Sequence, residues 1–507
     1  IIMAEYSPKI QKRTLKGHRR PVLCLAHSSE RLGYYSSPSN QQQNHVHHPS
    51  LLLSGSEDGT ARLWDLRQRK AALCIVVPRL ENGNCSEVTS VAFHPSVVVE
   101  ERQKNTDDGE CKDDDSTNAL LPIQHDCTVY ASTANNVYGY DLRHHSTTST
   151  TPIIKTPHFD LTPSFSCTDE INQLSFSYPK CNGGRVKYLM SAADDSGEVR
   201  IVECLHHRCE QQSQNTSTDK KQQHIICNHA EPETMAIVSS AVFQPRTNNA
   251  SYLATGGTDC TVKLWDVSKP RRPASTIKIK AADSGNTTQL CNPPYVHSLS
   301  WSPSGRLLAA GVGDGSCAIL RAEGRRLVEI GRLGYDEGGH GSAVAAVCFA
   351  AFGLCEQGDL PPKVRKSGEA EDRLMISAGN DGKICFWDLG ANMVGIEPMD
   401  PVLYLGKCLS PPDGISDYAK DAANAMDTLD ISGSQNHGKR KKGKGGETSS
   451  DDLSKELIPS PPKVLFQIAH RHKPNWITCS RASATVLPTS LFVADTTNDI
   501  SVYTLPS

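Results

Sequence analysis

The sequence predicts an all-β protein folded as a single seven-bladed β-propeller. One segment of the chain, residues 52–65, returns in similar form at 253–266 and 375–388, and in weaker form at 189–202. Each copy reads as an apolar strand, a stretch of small residues, an Asp-containing turn and a second strand. A self-similar unit of this kind is typical of a propeller blade, because one small sheet cannot bury its apolar face without a neighbouring copy.

The ends of the repeats give the number of blades, and seven candidates emerge. The closing elements are Trp64-Asp65, Tyr140-Asp141, Ile201-Val202-Glu203, Trp265-Asp266, Ala318-Ile319-Leu320, Trp387-Asp388 and Ser501-Val502-Tyr503. The apolar opening strands that precede them are residues 22–26, 88–93, 171–176, 237–243, 296–301, 344–349 and 476–480. The last blade lacks a fourth strand after Tyr503, and residues 10–15 can supply it. We therefore expect the N-terminal strand to close the last blade and to remove its open edge.

The length of the chain agrees with this fold if much of the chain lies outside the strands. Seven blades of about 43 residues need roughly 300 residues, whereas the chain has 507. We assign the propeller to residues 10–507 and interpret five polar segments without apolar periodicity as flexible, largely disordered insertions. These insertions are residues 28–50, 98–127, 205–223, 354–372 and 390–463.

The residues of the turn and the aromatic residue that ends each repeat are explained by two different physical needs. Asp58-Gly59 and Asp381-Gly382 stand where the chain must reverse, and Asp-Gly is a strong hairpin signal. The Trp that follows can fill the gap between two blades, where burial of its ring stabilises the fold by about 3 kcal/mol. The turn Asp and the Trp are therefore predicted to be structural residues.

These repeats resemble the WD-repeat family. In that family the turn Asp, a strand Ser or Thr, the closing Trp and the His of a preceding Gly-His form a buried hydrogen-bonded set. Gly17-His18, Asp58 and Trp64 match those positions in the first repeat. The structural blade residues that the resemblance implies are His18, Asp58, Trp64, Asp259, Trp265, Asp381 and Trp387.

Composition narrows the class of protein without naming a function. The net charge of −3 and the pI near 6.7 give no global basic field, so bulk nucleic-acid binding is not favoured. The 18 cysteines are scattered, and we find neither a signal peptide nor an apolar run long enough to span a membrane. We expect an intracellular protein of the nucleus or cytoplasm, with reduced cysteines, no cofactor and no membrane contact.

Two adjacent repeats carry an Arg two residues after the aromatic-Asp pair. The two segments are Trp64-Asp65-Leu66-Arg67 and Tyr140-Asp141-Leu142-Arg143. We call each of these segments an arginine box. A guanidinium at the end of the third strand would lie at the rim of one propeller face, as a planar donor fork suited to an acidic or carbonyl-rich partner. A plainer interpretation is that Arg67 and Arg143 are ordinary surface residues or only pair with Asp65 and Asp141.

The pair of arginine boxes in neighbouring blades resembles that of substrate receptors for the cullin-4 ubiquitin ligase. Those receptors dock on the damaged-DNA-binding adaptor of the ligase. The resemblance implies a protein-binding role for six residues: Trp64, Asp65, Arg67, Tyr140, Asp141 and Arg143.

Two further clusters can be interpreted either as functional sites or as ordinary surface residues. The residues Cys204, His206, His207, Cys209, His224, Cys227 and His229 include more than four potential zinc ligands. Their spacing fits neither Cys-x2-Cys nor His-x3-His, so a polar loop is favoured and no metal is predicted. The basic run Lys439, Arg440, Lys441, Lys442 and Lys444 is consistent with a nuclear import signal, with a nucleic-acid contact, or with a solubilising charge run.

No catalytic motif emerges, because the sequence has no Gly-rich phosphate loop, no Gly-x-Ser-x-Gly elbow and no His-Glu-x-x-His. We therefore predict a non-catalytic interaction scaffold. The leading hypothesis is a receptor that docks on the cullin-4 adaptor through Arg67 and Arg143 and presents an unknown substrate protein on the opposite face or the insertions. The alternative is a constitutive scaffold subunit of a chromatin or ribonucleoprotein complex, with the basic run contacting nucleic acid.

Overall fold

Seven small sheets form a ring in the computed structural model of the chain. The structure describes residues 10–28, 51–66, 68, 70–79, 83, 86–95, 128–143, 151–158, 166–177, 180–182, 185–205, 225–230, 235–245, 252–281, 293–349, 372–390, 462–480 and 490–504. Each sheet is one blade, whose main strands run antiparallel. The first strand of each blade contacts the first strands of both neighbouring blades. The first strands therefore surround the axis, and we number the strands of a blade from the axis outward.

The first three blades vary in strand number among the described residues. The chain opens with β1 (Gln11–Lys16), which belongs to the last blade. Blade 1 comprises β2 (Val22–His27), β3 (Leu51–Ser56), β4 (Thr60–Asp65) and β5 (Ala71–Val76). Blade 2 comprises β6 (Ser90–Phe93), β7 (Thr128–Thr133) and β8 (Asn136–Asp141), and β9 (Ile153–Ile154) follows it. Blade 3 comprises β10 (Ile171–Phe176), β11 (Lys180–Asn182), β12 (Arg185–Asp194), β13 (Glu198–Leu205) and β14 (Ile225–Asn228).

The remaining blades each have four strands in the part of the chain that the structure describes. Blade 4 comprises β15 (Val238–Phe243), β16 (Tyr252–Gly257), β17 (Thr261–Asp266) and β18 (Ser275–Lys278). Blade 5 comprises β19 (Val296–Trp301), β20 (Leu307–Val312), β21 (Cys317–Glu323) and β22 (Arg326–Leu333). Blade 6 comprises β23 (Val344–Phe349), β24 (Leu374–Gly379), β25 (Lys383–Asp388) and β26 (Lys463–Ala469). Blade 7 comprises β27 (Pro474–Cys479), β28 (Ser490–Asp495), β29 (Asp499–Thr504) and β1.

The predicted closure of the ring is confirmed. β1 pairs antiparallel with β29 from Gln11 opposite Thr504 to Lys16 opposite Asp499. Leu15 is 2% exposed and packs in the same cluster as Trp64 and residues of β28 and β29. The N-terminal strand thus supplies the fourth strand of blade 7 and covers an edge that would otherwise expose unpaired backbone groups.

Blade 2 departs from the regular pattern. Its sheet has three strands among the residues that the structure describes, and β9 does not join it as a fourth strand. β9 instead pairs in parallel with β5 on the outer side of blade 1, where Cys74 lies opposite Ile153. The segment after the second arginine box therefore extends the neighbouring blade, and Ile154 is buried in the core that blades 1 and 2 share.

The antiparallel order places the connections at two opposite ends of the ring. Links from first to second strand and from third to fourth strand leave at one end, which we call the insertion face. Links from second to third strand and from blade to blade lie at the other end, which we call the hairpin face. All five predicted insertions belong to the first kind of link. Apart from one to three terminal residues in four of them, they lie outside the described residues.

The cores lie between blades rather than within them. Trp64 packs against blade 7, Trp265 against blade 3 and Trp387 against blade 5, in each case the preceding blade. All three rings are at most 1% exposed. Among the described residues, no helix is long and apolar enough to cross a membrane.

Candidate functional site

The two arginine boxes lie side by side on the insertion face. Trp64 and Asp65 end β4, and Tyr140 and Asp141 end β8, the third strands of two adjacent blades. The two rings are 1% and 0% exposed, and the two carboxylates are buried as well. These four side chains are therefore largely enclosed by the propeller.

Arg143 forms a planar fork on its own Asp. Its Nε lies 2.9 and 3.1 Å from the two carboxylate oxygens of Asp141, and its Nη2 lies 2.5 Å from Oδ2. The backbone N–H of Arg143 also donates to Asp141, at 2.9 Å. The Arg143 side chain is nevertheless 49% exposed, whereas that of Asp141 is 4% exposed. The pairing therefore orients the guanidinium and leaves about half of the side chain accessible at the rim.

Arg67 itself lies outside the described residues. On either side of it, the Gln68 N–H donates to the Asp65 carbonyl at 2.8 Å. Leu66 is buried, and its carbonyl accepts a hydrogen bond from Arg13 of β1 at 3.1 Å. The first box is therefore tied to the strand that closes the ring.

The other two Trp-Asp pairs use their Asp differently. Asp388 accepts two hydrogen bonds from Arg373, at 2.5 and 2.8 Å, and both residues are buried. Asp266 accepts from Ser268 at 2.5 Å and lies 3.5 Å from Arg325, which extends from blade 5 and is 55% exposed. In blade 6 the guanidinium is thus enclosed, whereas the Arg143 side chain of blade 2 is half exposed.

Three blades carry a buried chain of hydrogen bonds between four side chains, which runs from the closing Trp to the Asp of the turn at the hairpin face. The sets are His18, Ser54, Asp58 and Trp64; His229, Thr255, Asp259 and Trp265; and His340, Ser377, Asp381 and Trp387. In each set the indole N–H donates to the hydroxyl at 2.7–2.9 Å, and the hydroxyl lies 2.7 Å from the His ring. The other ring nitrogen faces the Asp. All four groups therefore find partners away from water.

Blade 7 carries a shorter version of the same chain. His470 lies 2.7 Å from the Tyr503 hydroxyl and 2.8 Å from Asp495. Tyr503 takes the place of Trp and reaches the His directly, so no strand hydroxyl is needed between them. Sequence reasoning named neither His470 nor Asp495 as part of such a set.

Sequence reasoning also missed His340 and His229 as members of these sets, although the sequence carries a signal for the first of them. Gly339-His340 repeats the Gly17-His18 pair at a similar distance before its Trp-Asp. His229 was instead grouped with the potential zinc ligands, but its two ring nitrogens face Thr255 and Asp259.

The charge state of these sets follows from burial and hydrogen bonding. Burial lowers the pKa of His18 below its ordinary value, which favours the neutral ring. Burial alone would raise the pKa of Asp58, but hydrogen bonds from His18, Thr60 and the Arg19 N–H outweigh it and hold that pKa well below the usual range. The pKa values of the corresponding Asp259, Asp381 and Asp495 are lowered for the same reason.

We expect the Asp58→Asn variant to be less stable than the wild type at pH 7 by about 1–3 kcal/mol. The Asp58 pKa is depressed in the fold, so its contribution is fully present above the unfolded pKa of about 3.9 and is lost progressively as pH falls from there toward the folded pKa. The difference between variant and wild type should therefore begin to narrow as pH falls from about 5 to about 3. Urea titrations across this range measure it, and a difference that stays constant with pH would contradict the assignment.

The other predicted clusters are only partly described. Cys227 is fully buried in the core between blades 3 and 4, whereas His206, His207, Cys209 and His224 lie outside the described residues. Among the residues that the structure does describe, no group of three or more His, Cys, Asp or Glu could hold a metal ion. The basic run at 439–444 also lies outside them, so its role stays a prediction.

Comparisons with known proteins agree with this architecture. The family model "WD domain, G-beta repeat" matches residues 9–65 and 221–266, and the model "Anaphase-promoting complex subunit 4 WD40 domain" matches residues 286–349. The chain is 24% identical over 394 residues to the WD repeat-containing protein 53 homolog of Dictyostelium discoideum, covering 75% of this chain and 78% of that protein.

A shorter similarity links the chain to transducin beta-like protein 3. The mouse protein is 44% identical and the human protein 40% identical, each over 70 residues. That stretch covers 13% of this chain and 8% of either relative. The similarity therefore reflects shared repeats and does not extend along the whole of either protein.

Proposed function

This chain belongs to the WD-repeat family of β-propellers, and we propose that it is a substrate receptor that docks on the damaged-DNA-binding adaptor of the cullin-4 ubiquitin ligase. WD-repeat propellers typically act as non-catalytic scaffolds that bind other proteins. The finer proposal assigns one surface of this scaffold to one partner. The docking residues would be Arg67 and Arg143, and the propeller would carry out no chemistry itself.

The observation that supports the proposal most is the fork of Arg143 on Asp141. An Arg is a strong contributor to protein interfaces when its fork is held in advance, because less conformational entropy is lost on binding. The Arg143 guanidinium is held by a buried carboxylate, and the Arg143 side chain is about half exposed. The equivalent position after Trp64 in the neighbouring blade is also an Arg, so two such groups would lie on the same rim.

The connectivity bears on where a substrate protein would bind. The ends of the five insertions emerge on the insertion face, the same face that carries the arginine boxes. Insertions next to blades 1 and 2 would therefore flank a docked adaptor, whereas those of blades 3 and 6 leave the ring farther round. We propose that the substrate contacts the insertions of blades 3 and 6 or the hairpin face, in the nucleus or the cytoplasm.

The test is capture of the cullin-4 adaptor from cells by the full chain and by an Arg67→Ala/Arg143→Ala variant. We expect the wild type to retain the adaptor and the double variant to lose most of it. Each buried Arg at the centre of an interface contributes about 2 kcal/mol, so two should lower the affinity by more than 100-fold.

An Arg325→Ala variant is the matched control. Arg325 lies on the same face, is exposed and faces the Asp of a Trp-Asp pair, but it belongs to blade 5. The Arg325→Ala variant should capture the adaptor as the wild type does. Thermal melts should give the same melting temperature for all three proteins. Equal capture by the double variant would refute docking through the arginines, and no capture by any protein would favour the constitutive scaffold.

A further inference from the structure

One junction between blades differs from the other six at the end of the first strand. The last residue of the first strand has a ring in six blades: His27, Phe93, Phe176, Phe243, Trp301 and Phe349. In blade 7 that residue is Cys479. A cysteine fills far less space than a ring, so this junction is packed differently on the insertion face.

A second cysteine faces Cys479 across the junction. Cys348 precedes the last residue of β23 and packs, like Ala346, against the core that blades 6 and 7 share. Cys479 and Ile477 pack against the same core from the side of blade 7. The two sulfur atoms are 3.7 Å apart, which is van der Waals contact.

The two cysteines also differ in burial from those of the neighbouring junction. Cys348 and Cys479 are partly exposed, whereas Cys317 and Cys385 at the neighbouring junction are fully buried. Burial raises the pKa of the Cys317 and Cys385 thiols to about 12, which disfavours the reactive thiolate. Thiols that react with a small oxidant are therefore expected at the junction of blades 6 and 7.

We propose that Cys348 and Cys479 are a modification site, at which a reversible disulfide links blades 6 and 7. The reagent class is a small oxidised thiol, such as glutathione disulfide. The sulfurs must approach from 3.7 Å to a bond length of about 2.05 Å. Side-chain rotation of two half-buried cysteines can supply part of this movement.

The chemistry proceeds by two thiol–disulfide exchanges. One protein thiolate attacks glutathione disulfide, breaks its S–S bond, forms a mixed disulfide and releases one glutathione thiolate. The second protein thiolate then attacks the protein sulfur of the mixed disulfide and releases the second glutathione. Two protein thiols lose two electrons and two protons, and one glutathione disulfide becomes two glutathiones.

The test treats the folded full chain with glutathione disulfide, blocks remaining thiols and maps disulfides by mass spectrometry after digestion. We expect a peptide that joins Cys348 to Cys479 and disappears on reduction. Cys317 and Cys385 should remain reduced. The link should be lost in Cys348→Ser and Cys479→Ser and kept in Cys355→Ser, which removes a third cysteine from the same tryptic peptide.

The oxidised protein should also melt at a higher temperature than the reduced one. The two cysteines are 131 residues apart in sequence, so the link constrains a long loop of the unfolded chain. Formation of the link is also compared between folded wild type and wild type unfolded in urea. This comparison does not depend on whether any variant folds. Separate mixed disulfides at saturating oxidant, or a link that forms equally well in urea, would overturn the proposal.

Discussion

Replacing Trp387 with alanine is expected to lower the free energy of unfolding by about 3–5 kcal/mol. The ring is fully buried and packs in a cluster with Ile319 of blade 5 and Leu389. A side chain added at Gly339 would meet the ring at 2.7 Å, which shows how closely the backbone packs around it. The blades around Trp387 can move only slightly into the cavity that the alanine leaves, so most of the lost contacts are not recovered.

A second variant separates the packing of Trp387 from its hydrogen bond. Trp387→Phe keeps an aromatic ring but removes the N–H that donates to Ser377 at 2.7 Å. We expect an intermediate loss of about 1–3 kcal/mol. Urea unfolding followed by circular dichroism measures both variants, with Tyr335→Ala as an exposed control. Equal stability of Trp387→Ala and Tyr335→Ala would contradict the structural role of the ring.

A chain that lacks residues 1–16 is expected to lose several kcal/mol of stability and to aggregate. The deletion removes β1, so β29 becomes an edge strand with unpaired backbone groups. It also removes Leu15, whose burial against the Trp64 cluster contributes about 2 kcal/mol. His18 and its set remain, so the effect reports closure of the ring rather than loss of that set.

The matched control lacks only residues 1–9 and keeps the whole of β1. Thermal melts and size-exclusion chromatography of the two truncated chains give the comparison. We expect the shorter deletion to behave as the full chain does. A monomeric protein with an unchanged melting temperature after loss of residues 1–16 would show that ring closure contributes little.

The ring of blades was predictable because its signals are local and repeated. Apolar opening strands, Asp-Gly turns and closing rings recur along the chain, and each of them reports one physical need of a blade. The fifth blade, which closes without an aromatic-Asp pair, was also found, since its β20 and β21 are apolar throughout their buried positions. Ring closure followed from the count of strands, because the last blade was short of one.

The departures from regularity were not predictable, because they depend on contacts between distant residues. The parallel pairing of β9 involves two isoleucines in a Thr-rich segment with no strand period. The sequence left open whether Arg143 pairs with Asp141, and the structure has both the pairing and the exposure. The approach of Cys348 to Cys479 becomes visible only once the register of two blades is known.

The most direct test of the docking proposal is the affinity of the purified chain for the purified cullin-4 adaptor. Isothermal titration would compare the wild type with Arg67→Ala/Arg143→Ala and Arg325→Ala at one fixed salt concentration. The proposal predicts tight binding by the wild type and by Arg325→Ala, with a loss of more than 100-fold in the double variant. Equal affinity of all three proteins, or no binding by the folded wild type, would contradict it.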